Sequence, residues 1–289
     1  MGGDFWSRLS RDRLATIGFA IIVLFVVIAV FAPWLAPYPD AGTAIAPMNR
    51  LKPPSALHWF GTDRVGADTF SRLLLGARET LMVALVGVGA SAAIGIPLGL
   101  LAGWNDGWTS DGIMRVADMF LAIPQIVLAI AIAQALGPSL TNVILALSAT
   151  LWPWFARLVF TETRSLRREP FIEACASLGA GPARTLVLHV LPNLASQLIV
   201  RLTLSMGYAV LTAAALGFLG LGAPAPSPEW GRTIAESREY LPGAWWYSAA
   251  PGIAIFLVVM GFNMLGDGLR DVLDPRTRRS TASRRIATT

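Results

Sequence analysis

Few residues in this chain could make or break bonds. There are two histidines, His58 and His189, and one cysteine, Cys175. The histidines are too far apart in sequence for metal-ligand spacing, and a single cysteine excludes an intramolecular disulfide framework or a Cys-cluster metal site. The single lysine, Lys52, lies in Leu51-Lys52-Pro53-Pro54. A phosphate-cradling loop needs Gly-x-x-x-x-Gly-Lys-Ser/Thr, and Lys52 has none of that context. If ATP drives this protein, another chain hydrolyses it. Asp118 sits near the start of an apolar run, and a carboxylate inside a membrane is a functional candidate by default. Arg115 is three residues away, close enough on a helix for a local ion pair, and that structural role is the favoured reading. Gln125 and Gln134 are weaker candidates for a polar pathway lining.

The composition explains this poverty of chemistry. Of 289 residues, 54% are hydrophobic and 14% charged, against about 25% charged in ordinary globular chains, and mean hydropathy is +0.58. The apolar residues form uninterrupted runs of the ~20 residues that cross bilayer hydrocarbon. An isoelectric point near 10.1 invites a nucleic-acid reading, but the Arg residues are scattered over loops and form no compact basic face. No nucleic-acid partner is expected, and membrane lipid is.

The predicted fold is all-α and membrane-integral, with six transmembrane helices. A basic segment, 1–13, precedes the first span at 14–35, which is too long for the ~7–15-residue apolar core of a signal peptide. The first span and an outer connection together occupy 14–79. A five-helix core, 80–268, follows, with spans at 80–104, about 113–137, 138–156, about 194–222 and 248–266. A tail, 269–289, closes the chain; beyond Arg276 its composition reads as disordered. In the second span Gly87, Ser91, Gly95, Gly99 and Gly103 recur every four residues. They form a narrow ridge that lets helix backbones approach closely in lipid, against a helix of this chain or of a second subunit. Near the sixth span's end Arg270 and Asp274 are spaced for an ion pair, as neighbours on one helical face.

Between spans four and five, 162–192 is a polar island. It contains Glu173-Ala174-Cys175-Ala176-Ser177-Leu178-Gly179-Ala180 and ends in His189-Val190-Leu191-Pro192-Asn193. Locally it reads as two short helices with a sharp turn. Pro170 opens the first, Gly179 suits the left-handed cap that closes it, Pro182 opens the second and Pro192 marks the next boundary.

Glu173-Ala174, then Gly179, His189 and Leu191-Pro192 at their spacing, resemble the cytoplasmic coupling loop of permease subunits of bacterial ABC importers. Cys175 stands where a second Ala is usual, a small-for-small change. The resemblance extends along nearly the whole chain to the dipeptide/oligopeptide/nickel group. It is carried also by Gly61-Thr62-Asp63, by Gly220-Leu221-Gly222 through Trp230-Gly231, and by Phe262-Asn263 through Arg276. Ala67 departs from the group's usual Arg. The resemblance implies a second permease subunit, two ABC ATPase subunits that bind ATP and Mg, and a periplasmic or lipid-anchored substrate-binding protein. It implies no cofactor in this chain, and a coupling role for Glu173, Ala174, Cys175, Leu178, Gly179, Ala180, His189, Leu191 and Pro192. The two outer runs, 37–79 and 223–247, read equally as parts of a substrate entrance or as interfacial segments that position spans.

Charge counting orients the chain. With the N-terminus inside, fifteen of the 23 basic residues fall in cytoplasmic segments and seven outside, with Arg201 in a span. The positive-inside rule then puts both termini and the Glu173 loop in the cytoplasm of a bacterial inner-membrane protein. An ion-gradient transporter usually has ionisable residues and interrupted helices at the midplane. A membrane enzyme needs a nucleophile, a His cluster or facing carboxylates within its spans. The span centres offer neither set.

Overall fold

The computed structural model describes residues 12–42 and 45–273. Asp274, and with it the expected Arg270–Asp274 pair, lies outside the described residues, as do the tail beyond it and most of the basic N-terminal segment.

Helix α1 spans Arg13–Leu35, with Asp12 as its N-cap accepting from the backbone N–H of Leu14 and Ala15. Next come α2 (Thr69–Trp104), α3 (Trp108–Leu121), α4 (Gln125–Leu136) and α5 (Leu140–Leu166). A short α6 (Pro170–Ser177) precedes α7 (Pro182–Phe218), then α8 (Trp230–Ser237) and α9 (Trp245–Leu273). Five of these are long and apolar enough to cross a membrane, or six spans result if the bent pair α3–α4 counts as one.

The fourth span runs on to Leu166, ten residues past its expected end, the fifth stops at Phe218, and the sixth occupies Trp245–Leu273. Larger differences lie elsewhere. Helix α2 begins at Thr69, capped by the Asp68 carboxylate, which accepts from the Ser71 N–H. Its first eleven residues carry Arg72, Arg78 and Glu79, which had placed them in a polar connection. The third span is not one helix: α3 and α4 meet at 89°. Pro124 has no N–H to continue the ladder and disfavours helical backbone in the residue before it.

The second half of the polar island is not a separate short helix either. It runs on into the fifth span through one wide turn, Leu186–Val190, in which the Leu191 N–H reaches the Leu186 carbonyl five residues back. That change of hydrogen-bond spacing carries the chain into Pro192, which donates nothing. The Asn193 side-chain amide donates 2.7 Å to the His189 carbonyl.

Packing is by small residues at close range. The ridge of α2 lies against α5 of the same chain. A Cβ on Gly95 would collide with the Trp152 carbonyl, one on Gly99 would come within 2.6 Å of the Ala156 oxygen, and one on Gly103 within 2.7 Å of Thr163 Cβ. Ser91 Oγ donates to the Gly87 carbonyl at 2.7 Å, so its polar group is satisfied within its own helix. Helix α1 seats on α9 in the same way, with Gly18 against the Gly261 carbonyl and the Leu265 nitrogen. In lipid, where no hydrophobic force drives helices together, such backbone proximity holds a bundle.

Candidate functional site

The polar island folds as an exposed helix fastened to the bundle at one point. Pro170 is the first residue of α6, where its missing N–H costs nothing, and Glu173 lies in the first turn, favourably placed for the helix dipole. At the other end Gly179 has φ +82°. Its N–H donates to the Ala176 carbonyl at 2.9 Å, and the Ala180 N–H to the Cys175 carbonyl at 3.0 Å. This is the paired cap that glycine favours.

Helix α6 buries Ile172, half-buries Cys175 and exposes its other residues. Ile172 is buried with Leu100 of α2, Val159 of α5, and Val190, Leu194 and Leu198 of the α7 segment. Glu173, Ala174, Gly179 and Pro192 are exposed, and Cys175, Ala180, His189 and Leu191 are half-buried. Leu178 is 89% exposed, and Phe171, Val187 and Leu188 are exposed apolar neighbours in sequence. The chain around this loop is tied down by charge. Arg167 Nη1 donates to Asp106 Oδ2 at 2.8 Å, and Arg164 lies 3.6 Å from the same carboxylate. Asp118 pairs with Arg157 of α5 rather than with Arg115 on its own helix. The sequence could show only neighbours along a helix, and this partner comes across the α3–α5 contact.

At the opposite end the two outer runs come together in a polar lock that sequence reasoning did not resolve. Asp63 and Arg72 are buried 3.3 Å apart, and Arg72 Nη2 donates to the Ser227 carbonyl at 2.8 Å. Ser227 in turn donates its hydroxyl to Glu79. Trp230 Nε1 donates to the Leu73 carbonyl, and Glu236 accepts from both Arg64 and Arg232 at 2.9 Å.

Electrostatics follow burial and pairing. Burial pushes the Asp63 carboxyl up, with Arg72 opposing. Burial pushes Glu229 up to about 7; it is 4% exposed, and its Oε2 has no hydrogen-bond partner among the described residues. Burial also acts to raise Glu236, but the hydrogen bond from Arg64 and the nearby cations outweigh it and hold that carboxyl low. The usable signal in the sequence was the pairing of acids with Arg in both outer runs, but nothing local says that they meet.

The described residues thus present an exposed loop pegged under the bundle by Ile172 and, at the opposite end, a buried polar lock. The family model described as binding-protein-dependent transport system inner membrane component matches residues 95–279. The chain belongs to that family. A second model, the N-terminal TM domain of oligopeptide transport permease C, matches residues 1–54.

Among similar proteins is a dipeptide transport system permease of Alkalihalophilus pseudofirmus, 47% identical over 95% of this chain and 90% of that protein. A probable D,D-dipeptide transport system permease of Escherichia coli is 44% identical, over 93% and 89%. A glutathione transport system permease of Escherichia coli is 44% identical, over 95% and 90%. The inward-facing methionine ABC transporter MetNI has a similar fold, with a TM-score of 0.57 at 22% identity over 70% of this chain and 97% of the other. The protein is therefore a permease subunit of an ATP-driven importer, multi-pass in the inner membrane. The broken α3–α4 span is a feature also found in ion-coupled carriers, and the family match decides against that reading.

Proposed function

We propose that this permease forms, with a second permease subunit, the pathway by which peptides or closely related small solutes enter the cell. Both termini and the 162–192 loop face the cytoplasm, and a periplasmic or lipid-anchored binding protein delivers solute to the outer end. Two ATPase subunits bind ATP and Mg and drive alternating access through the loop. The names of the relatives, which carry dipeptides and glutathione, support the solute class.

The observation that carries the coupling role is the pegged helix α6. Leu178 and Phe171 present apolar surface outward, while Ile172 is packed among α2, α5 and α7. A push on α6 thus enters, through Ile172, an apolar cluster to which three spans contribute. Interiors this tightly packed do not deform continuously and answer by shifting between discrete arrangements. Gly179→Val tests the role. A β-branched residue at positive φ costs roughly 1–2 kcal/mol or more and would distort the cap beside Leu178. The expected result is a complex whose ATP hydrolysis no longer drives solute uptake, or one from which the ATPases are lost. Normal uptake by this variant would remove Gly179 from the coupling machinery.

A further inference from the structure

The inner part of α7 carries a cation that the described residues leave without a counter-ion. The cations at this end on α5 and at its C-cap have one: Arg157 pairs with Asp118, and Arg164 and Arg167 pair with Asp106. Arg201 is in the long span Pro182–Phe218, 17 residues before its outer end, or about 26 Å at 1.5 Å per residue. Its guanidinium lies over the ring of Trp154 on α5, 5.0 Å from the centroid. Its Nε is buried and has no hydrogen-bond partner among the described residues.

Arg201 is not an isolated polar residue. Gln197, one turn below it, and Tyr208, two turns above, share its face of the helix by their spacing, and both are exposed, as is Trp154. A polar stripe that includes an Arg is costly against lipid and faces protein or a water-filled passage. Gln125, at the start of α4, adds a second unpaired donor, its buried Nε2. Counting back from the α4–α5 turn places it about 17 Å in, near the level of Trp154 at about 21 Å. Both groups are donors seeking an acceptor.

We propose that Arg201, braced by Trp154, is a binding residue for the carboxylate of the transported solute in the inner part of the pathway. This rests on the peptide-importer reading above. The guanidinium donates two parallel N–H bonds to a carboxylate, a geometry an ammonium does not reproduce. A solute whose carboxyl is blocked loses that contact.

The test is binding of radiolabelled dialanine to the assembled complex in nanodiscs, without nucleotide or binding protein, competed by dialanine or by its C-terminal amide. For the wild type, dialanine is expected to compete at least ~10-fold better than the amide, a preference worth one charge-assisted contact. Arg201→Gln is expected to bring the two within ~2-fold, and Arg201→Lys to fall between. No binding by the wild type, or equal competition by the two ligands, would overturn the proposal. So would selectivity that survives in Arg201→Gln. Loss of the second permease from the Arg201→Gln preparation would identify an acid of that subunit as the counter-ion, and would overturn it too. ATP-driven uptake of dialanine by the wild-type complex with its binding protein is measured alongside. Its absence would defeat the peptide-importer reading, whereas uptake with unselective binding would defeat only the role of Arg201.

Discussion

Arg72 Nε stands 3.3 Å from Asp63 Oδ2, with both side chains withdrawn from solvent. The pair joins the outer connection to α2, and through the Ser227 carbonyl it reaches the segment before α8. A buried pair is weak evidence of net stability, but breaking one strands the other charge, at about 3–5 kcal/mol. Arg72→Met is therefore expected to lower the melting temperature of the detergent-solubilised complex sharply. Adding Asp63→Asn to that variant is expected to recover part of the loss. An Arg72→Met protein as stable as wild type would show that the lock does not hold the outer end.

Glu229 makes the same end sensitive to pH. Its carboxyl titrates near 7 in the folded protein against an ordinary value of 4.5. Between those values the folded state keeps a proton that the unfolded state has lost, so stability falls as pH rises through this window and is lowest above about 7. The full penalty is about 3 kcal/mol. Glu229→Gln is expected to raise the melting temperature at pH 8 and to change it little at pH 4.5. Equal shifts at both pH values would exclude titration of this carboxyl as the cause.

The α2 ridge is a seam within the subunit. Gly95 and Gly99 touch backbone of α5, so larger side chains there must separate two helices that run side by side through the membrane. The double variant Gly95→Leu, Gly99→Leu is expected to fail to accumulate in the membrane. Gly89→Leu, on the same helix with open space around it, is expected to accumulate and transport normally. Similar behaviour of the two variants would mean that the seam is not what requires small residues.

The spans were legible in the sequence because membrane crossing needs only an apolar run of a certain length, and each run announces itself. The cap at Gly179 was legible for a similar reason: a left-handed residue after a short helix asks for glycine. What stayed hidden depends on distant partners. Arg72 and Glu79 marked residues 69–79 as a polar connection, yet they are helical, with contacts at Ser227 more than a hundred residues on. Asp118 had a plausible neighbour in Arg115 and takes Arg157 instead. Pro192 looked like a boundary, and a wide turn just before it lets the helix continue. Pro124 lies within an apolar run long enough to read as one span, yet it is where the third span breaks.

Docking of an ATPase on the pegged helix α6 in the cytoplasm is tested without mutagenesis by the free, half-buried Cys175 on that helix. Oriented vesicles are treated with a membrane-impermeant maleimide, with and without the ATPase subunits. The expected result is labelling from the cytoplasmic face only, and protection when the ATPases are bound. Labelling from the outer face, or cytoplasmic labelling that the ATPases leave unchanged, would contradict it.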